Sequence, residues 1–314
     1  MVVADFESIS VRERYAGLLD GALAADSLAL GAHWIYDQAA IADRWDRIMD
    51  LQAPLSDTYH PGKDRGAQTH YGDQTLVLLE SLEECGGNFV MDDFARRWRR
   101  FWNESKAYRD LATKETLAHL EEGLGLTRAG SASDHLGGAA RIAPLLVALR
   151  NEEPPTIIAA ARAQTAMTHS SPLVIDAAEF IARTVFLLMR NVSVANAIRM
   201  TASLPYRALP AERYLREAEA VADLPTTEAV LKLGQSCPID KALPAVFAIL
   251  LRHGDDLETA LIENVMAGGN SASRGLVLGT LLGAGHGRRT VPERWLDALQ
   301  ARPKLESFLQ TVGL

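Results

Sequence analysis

A carboxylate and an imidazole occur within the otherwise apolar segment GALAADSLALGAHWIYD, residues 21–37. Asp26 is flanked mostly by Ala and Leu, and burying its charge is costly unless a partner compensates it. That partner is either part of a reactive site or structural, such as a neighbouring helix end or an arginine. His33 follows seven residues later, so a continuous helix places it on the same face as Asp26. A carboxylate and an imidazole together provide acid–base chemistry near neutral pH.

The segment HPGKDRGAQTHYGDQT, residues 60–75, contains two imidazoles, a phenol and two carboxylates. It overlaps the loop 51–71, and a loop of this length is typically functional or disordered. The apolar run LVLLESL after Gln74-Thr75 predicts a helix that begins near Asp73, where backbone N–H groups and the helix dipole favour an anion. Asp73 is therefore either a reactive carboxylate or a helix N-cap.

Two further segments bring histidines and a glycine pair to predicted helix starts. Gly137-Gly138 in SASDHLGGAARIAP, residues 131–144, can let backbone amides approach an anion, or the segment is a plain loop. Thr168-His169 precedes Ser171-Pro172, and the serine-proline pair itself predicts a helix start.

The last segment, GGNSASRGLVLGTLLGAGHG at residues 268–287, combines a Gly-Gly turn with a helix that has glycine at every fourth position. Gly275, Gly279 and Gly283 then share one face, which permits close packing in the core or at a dimer contact. Arg274 lies in the predicted first turn, where the helix dipole disfavours a cation. It has either a specific anionic partner or access to solvent.

The elements that must position these segments are helices. Apolar residues recur at helical spacing, as in Phe94, Trp98, Phe101 and Trp102, with Asp92 and Asp93 as expected N-caps. Gly254 is an expected helix C-cap, with Asp255-Asp256 opening the next helix. Strand-like alternation is absent, and nothing marks a domain boundary. We expect an all-α fold with a single domain over residues 1–314.

Composition excludes several classes of protein. The 314 residues are 48% hydrophobic and 23% charged, which is ordinary globular composition. With 32 Lys+Arg against 40 Asp+Glu, the net charge of -8 argues against nucleic-acid or membrane-surface binding. Two cysteines cannot form a disulfide scaffold. The start MVVADFESISVRER lacks the pattern of a secretory signal, and the apolar runs are too short for a membrane span, so we expect a cytoplasmic protein. The expected partner is a small molecule.

Taken together, these segments resemble the ADP-ribosylglycohydrolase family. GALAADSLALGA is similar to the family's GxxxGDALGA helix, YGDQTLVLLESL to its (S/T)DDT motif, and GGAARIAP to its loop ending in MRIAP. Thr168-His169 is similar to its TH pair, and GGNSASRGLVLGTLLGAGHG to its closing GGDTDTxAxxxGALLGA motif. The resemblance implies a compact all-α domain whose pocket holds two magnesium ions and cleaves N- or O-glycosidic bonds to ADP-ribose.

The sequence departs from the family at the positions that bind magnesium. The (S/T)DDT motif is Gly72-Asp73-Gln74-Thr75, the closing DTDT is residues 270–273 (NSAS), and a glutamate becomes His33. Magnesium prefers octahedral oxygen ligands, usually with carboxylates. We therefore predict that the dimagnesium site is lost and that no metal is bound. The HWIY sequence at 33–36, with GDQT and NSASR, resembles the branch that includes the J-class crystallins.

The resemblance implies that these segments meet in one pocket. The expected catalytic residues are Asp73, His33, Asp26 and His70. The expected substrate-binding residues are Trp34, Tyr36, His60, Tyr71, Gln74, Asp134, His135, Gly137, Gly138, His169, Asn270, Ser271, Ser273, Arg274 and His286. We expect Arg274 to pair with Asp73 or with an anionic group of the substrate.

Three functions are consistent with the sequence. The first is a metal-independent hydrolase that cleaves an N-glycosidic or related bond of a small nucleotide- or sugar-like substrate, in which a carboxylate and an imidazole act as base and acid. The second is a non-catalytic protein that binds ADP-ribose or another anion, or that is structural like a crystallin. The third is a conventional magnesium-dependent ADP-ribosylglycohydrolase. The sequence leaves the oligomeric state open.

Overall fold

Helices make up nearly all the regular structure in residues 9–314, the part of the chain that the computed structural model describes. The prediction that the chain has no secretory signal rests on residues 1–14, and the first eight of these residues lie outside the described range. Three short 3₁₀ segments are Leu30–Ala32, Leu136–Gly138 and Arg288–Thr290. The α-helices are α1 (Val11–Ala29), α2 (Gln38–Trp45), α3 (His70–Glu84), α4 (Met91–Glu104), α5 (Leu111–Glu121), α6 (Ala143–Ala148), α7 (Pro154–Ala166), α8 (Pro172–Leu188), α9 (Val194–Ala202), α10 (Ala211–Glu219), α11 (Thr226–Leu233), α12 (Ile239–His253), α13 (Leu257–Met266), α14 (Ser271–His286), α15 (Glu293–Ala298) and α16 (Arg302–Thr311).

Two glycine-rich helices, α1 and α14, cross the centre of the molecule side by side and antiparallel. A Cβ atom on Gly279 would lie 2.1 Å from the carbonyl oxygen of Gly21, and one on Gly283 would lie 2.0 Å from that of Gly17. Only glycine therefore permits this approach. The glycine face of α14 forms core packing within the chain, and the alternative of a dimer contact at these glycines is wrong.

The other helices surround this central pair. Helix α3 packs against α1, α4 and α6, while α8, α12 and α13 pack against α14. Both central helices are buried on nearly every face, as expected of helices whose apolar residues do not form a single stripe. The central pair thereby fixes the relative positions of the segments before α2, before α3 and before α14.

Most predicted helix ends are confirmed. Ser171 precedes α8, Gly254 follows α12, and Asp256 caps α13 by accepting the N–H of Thr259. The predicted N-cap role of Asp92 and Asp93 is wrong, because α4 begins one residue before Asp92 and both carboxylates lie in its first turn.

The described residues contain two isolated β-bridges and no strand, so the all-α fold is confirmed. The predicted helical register between Asp26 and His33 is wrong, because α1 ends at Ala29. The 3₁₀ turn that follows leaves His33 in an extended conformation, and Trp34 then adopts a φ of 65°. Within the described residues, none of the helices combines the length and the hydropathy that a membrane span needs.

Candidate functional site

Backbone hydrogen bonds join the segment at 33–36 to the turn that precedes α14. The N–H of Trp34 donates to the carbonyl oxygen of Gly269 at 2.9 Å, and the N–H of Gly269 donates to that of Ile35 at 2.7 Å. Gly268 and Gly269 have φ values of 71° and 66°, which favour glycine. A Cβ on Gly268 would also lie 2.7 Å from the oxygen of Ile35. This double-glycine turn brings two distant motifs together.

Three buried histidines from different segments meet beside this turn. Ring nitrogens of His33, His60 and His70 lie within 4.8 Å of one another. Burial, reinforced by the neighbouring imidazoles, holds the pKa of His33 well below its ordinary value. Burial, with smaller contributions from His70 and Lys63, lowers the pKa of His60 to about 2. His33 and His60 are therefore neutral at physiological pH and offer lone pairs.

Aromatic rings cover the three histidines. Trp34 stacks on His33 with ring centroids 4.4 Å apart. Tyr59 and Tyr108 pack edge-on against Trp34 at 4.6 and 5.2 Å. Because Tyr59 is half-exposed, this group of rings forms the outer wall between the histidines and solvent. Neither Tyr59 nor Tyr108 was predicted from the sequence, although Tyr59 lies within the long loop.

The motif residues around the histidines carry buried polar atoms that have no protein hydrogen-bond partner. Leaving such a group unpaired costs about 1–3 kcal/mol. Within the described part of the chain, the unpaired atoms at this place are both ring nitrogens of His33, His60 and His70, the Tyr71 hydroxyl, the Asn270 Nδ2 atom, and the Ser271 and Ser273 hydroxyls. This concentration is typical of a site whose ligand supplies the missing partners.

Asp26 lies beneath the start of α3. Its carboxylate accepts hydrogen bonds from the backbone N–H of Thr69 at 2.7 Å and from the Thr69 hydroxyl at 2.6 Å. Its partner is thus the beginning of a neighbouring helix rather than an arginine. Complete burial raises the pKa of Asp26 to about 7, although the Thr69 hydrogen bonds oppose this rise. Gly72 packs on the carboxylate, because a Cβ there would lie 2.3 Å from Oδ2.

Asp73 lies in the first turn of α3, where the sequence placed it, but Thr69 is the N-cap. Its carboxylate forms an ion pair with Lys63, whose Nζ lies 2.8 and 2.6 Å from the two oxygens. Burial raises the pKa of Asp73, and Lys63 opposes that rise. Both residues line a cleft of about 370 Å³ bounded on the far side by Gln300 and Lys304. Lys63 was missed as a functional candidate, although it lies in the predicted loop.

Arg274 is fully buried, and its expected pairing with Asp73 is wrong. It donates to the Oδ1 atom of Asn264 at 3.0 Å and to the carbonyl oxygens of Asn264, Gly268 and Gln235. Asn264 lies in the last turn of α13, so the cation faces the negative end of that helix dipole. Burial lowers the pKa of Arg274 to about 10, which leaves it charged.

Gln74 is engaged by protein groups rather than free for a substrate. Its side-chain oxygen accepts from the Trp98 indole at 2.8 Å and from Arg141, and its amide donates to the His70 carbonyl. Arg141 is itself buried and also donates to Thr168. It was missed as a candidate, although it lies within the quoted GGAARIAP segment.

The double glycine at 137–138 makes room for rings. A Cβ on Gly137 would lie 2.3 Å from the Tyr71 ring, and one on Gly138 would lie 2.5 Å from the His169 ring. The pair lies in a 3₁₀ turn rather than opening an α-helix, so that expectation is wrong. His169 is buried, and burial lowers its pKa to about 3, with Arg141 contributing.

Asp110 is a site residue that the sequence reasoning missed. It caps α5 by accepting the N–H of Thr113 at 2.8 Å, and its Oδ2 lies 3.6 Å from the Nε2 atom of His70. Burial alone would raise the pKa of this carboxyl, but the interaction with His70 outweighs it and holds the pKa well below the usual range. An Asp before the apolar start of a helix was the available signal.

Some predicted residues lie at the edge of the site or away from it. His286 ends α14 and contacts the carbonyl oxygen of Gly254 at 2.6 Å. A 16-residue helix at ~1.5 Å per residue places it at the opposite end from Asn270, so its assignment to the site is wrong. Asp134 and Tyr36 are exposed, and His135 is half-buried in the bridge to Pro238.

Known proteins resemble this chain in both sequence and fold. The sequence profile of the ADP-ribosylglycohydrolase family matches residues 7–313. The chain belongs to the ADP-ribosylglycohydrolase family. An uncharacterized protein of Archaeoglobus fulgidus is 27% identical over 304 residues, which covers 95% of each chain. A solved structure described as an "ADP-ribosylglycohydrolase-related protein complex" superposes with a TM-score of 0.72 at 23% identity, covering 96% of this chain and 97% of that one.

Membership in the ADP-ribosylglycohydrolase family agrees with the convergence of the quoted motifs. The first, second and last motifs contribute His33, Tyr71 and Asn270 to one region, and the loop ending in RIAP contributes Arg141, which donates to Gln74 of the second motif. The solved structure supports the fold alone. The residues of this chain must therefore carry any argument about its chemistry.

Proposed function

We propose that this member of the ADP-ribosylglycohydrolase family hydrolyses an N-glycosidic or related bond of a small nucleotide- or sugar-like substrate, without the two magnesium ions of the family. One observation carries the proposal. Among residues 9–314, the buried polar atoms of His33, Tyr71, Asn270 and Ser273 have no protein hydrogen-bond partners at the place where the family motifs meet. Retaining them costs stability unless a ligand pairs with them.

The residues at the family's magnesium positions do not fit two hard cations. Both oxygens of Asp73 face Lys63, and the side-chain oxygen of Gln74 is engaged by Trp98 and Arg141. The Thr75 hydroxyl donates to the Tyr71 carbonyl, and Ala272 has no donor atom. Octahedral magnesium coordination usually includes carboxylate ligands that are free of other cations. These contacts support a reaction that does not use magnesium.

The charge arrangement suits a transition state with oxocarbenium character. The Asp73 carboxylate is held by Lys63 on a cleft of about 370 Å³, where it can stabilise positive charge on a sugar ring. The neutral imidazoles of His33 and His60 offer lone pairs that can accept hydrogen bonds from the attacking water and so orient it. Asp26 is fully buried below Gly72, and we assign it a positioning role at the start of α3.

A second candidate function is non-catalytic binding of ADP-ribose or a related anion. The observation that favours it is the Lys63–Asp73 ion pair, because both carboxylate oxygens of Asp73 are held by the ammonium group. A structural, crystallin-like protein would also show no turnover, but it would not bind the ligand.

The test is hydrolysis of a panel of N- and O-linked ADP-ribose conjugates and simple nucleosides by chelator-stripped protein, with and without magnesium. We expect product release that excess magnesium does not increase. Turnover that requires magnesium would refute the proposal and favour the conventional enzyme. Stabilisation by ADP-ribose, about 2.7 kcal/mol at 100 times its dissociation constant, without turnover would favour the binder.

Two variants and one control assign the residues. Asp73→Asn and His33→Gln should abolish turnover while the thermal unfolding temperature stays close to that of the wild type. Asp255→Asn removes an exposed carboxylate outside the site and should leave turnover unchanged. Equal turnover in all three variants would refute the assignment of the reaction to Asp73 and His33.

A further inference from the structure

Three imidazoles converge from three separate parts of the chain. His33 follows the 3₁₀ turn after α1, His60 lies in the long loop, and His70 is the first residue of α3. Their ring nitrogens lie within 4.8 Å of one another. In a tetrahedral zinc site with bonds of about 2.0–2.1 Å, ligand nitrogens are about 3.3 Å apart, so binding one ion requires these nitrogens to approach by at most about 1.5 Å.

Five of these six ring nitrogens lack any other protein partner within the described residues, and the sixth, Nε2 of His70, lies 3.6 Å from the Asp110 carboxylate. All three side chains are almost completely buried. Buried polar atoms are normally satisfied, and three lone pairs directed at one ion would satisfy half of these nitrogens.

Asp110 supplies the outer contact that metal-binding histidines usually have. Its Oδ2 lies 3.6 Å from the Nε2 atom of His70 and is positioned by the N–H of Thr113. A carboxylate behind a ligating histidine fixes its tautomer and orientation, and leaves the other ring nitrogen to face the ion.

We propose that His33, His60 and His70 bind one divalent transition-metal ion of the zinc class, with the fourth coordination position open to water or ligand. Imidazole nitrogens select zinc and its neighbours over magnesium, so this site is chemically different from the family's carboxylate site. The proposal concerns the same pocket as the proposed function, but does not depend on hydrolysis. A nitrogen that ligates the ion no longer accepts a hydrogen bond from water, so the two roles are exclusive at that atom.

The test is titration of Zn²⁺ and Co²⁺ into chelator-stripped protein, followed by competition with a chromophoric chelator and by the visible spectrum of Co²⁺. We expect one ion per chain, unaffected by excess Mg²⁺, and the intense visible bands of tetrahedral Co²⁺. His60→Ala should weaken binding at least 100-fold. His253→Ala is the matched control, since His253 contacts Thr226 outside the cluster and should bind as the wild type does.

A second variant guards against loss of folding. Asp110→Asn keeps the size of the side chain and should weaken the site by about 10- to 100-fold. The proposal is overturned if wild-type protein shows no tetrahedral Co²⁺ bands, or if His60→Ala and His253→Ala bind equally. If turnover proceeds without any metal while Zn²⁺ still binds one per chain, this inference stands independently. If metal binding fails while hydrolysis persists, only this inference falls.

Discussion

Replacing Asp26 with asparagine should stabilise the protein at neutral and alkaline pH. The carboxyl is fully buried, and its pKa is raised from 3.8 to about 7 by that burial. The folded state therefore holds a proton that the unfolded state has released between these two values, so the free energy of unfolding falls as pH rises through this window. At about 1.36 kcal/mol for each tenfold difference in proton affinity, the difference between these two pKa values lowers the free energy of unfolding by about 4 kcal/mol above pH 7.

Asparagine removes that penalty without emptying the site. Its side-chain oxygen can still accept the N–H of Thr69, and its amide can donate to the Thr69 hydroxyl, so both contacts survive the change. We expect the advantage of Asp26→Asn over the wild type to grow from about 1.6 kcal/mol at pH 5 to about 4 kcal/mol at pH 8.

The assay is urea unfolding of wild type and variant at half-unit intervals from pH 5 to pH 8. Asp20, whose pKa burial raises to about 6, contributes equally to both proteins and cancels in the difference. Asp255→Asn serves as the exposed control and should follow the wild-type curve. Parallel pH profiles for wild type and Asp26→Asn, or a variant that is less stable at pH 8, would refute the reasoning about a buried and penalised carboxylate.

Three further predictions concern the packing and charges around the site. Gly279→Ala should cost at least about 3 kcal/mol, because its Cβ would meet the Gly21 carbonyl, while Gly125→Ala meets nothing within 4 Å and should be neutral in thermal unfolding. Arg274→Met should destabilise by about 1–3 kcal/mol in urea unfolding, since it strands several buried carbonyls. Lys63→Met should raise the pKa of the Asp73 carboxyl, because the lysine no longer opposes the effect of burial. A ¹³C NMR titration of Asp73 measures this pKa, and an unchanged midpoint would contradict the prediction.

The fold class and many helix ends could be predicted from the sequence, because they depend on local information. Periodic apolar residues and caps such as Ser171-Pro172 act over a few neighbouring residues. Glycine at every fourth position of α14 also predicted a close contact, but the choice between α1 and a second chain depends on a residue 258 positions away, at Gly21. Only the tertiary structure therefore shows which helix packs against the glycine face of α14.

The composition of the site followed from the motifs, whereas the pairing of its charges did not. Arg274 and Asp73 were expected together, yet each has another partner: Arg274 faces the end of α13, and Asp73 faces Lys63. Spacing along a helix does not reveal which carbonyl or ammonium from a distant segment arrives beside a buried group, and electrostatic cost is decided by those neighbours.

The histidine cluster illustrates the same division. The sequence by itself placed His60 and His70 in a long loop and, wrongly, His33 in one helical register with Asp26, near the residues of an expected ligand site. Only the tertiary structure decided that their ring nitrogens meet within 4.8 Å, with Asp110 behind them. The break of α1 at Ala29 turned His33 out of the helical register, and the packing of α3 and the loop against that turn brought the other two rings to it.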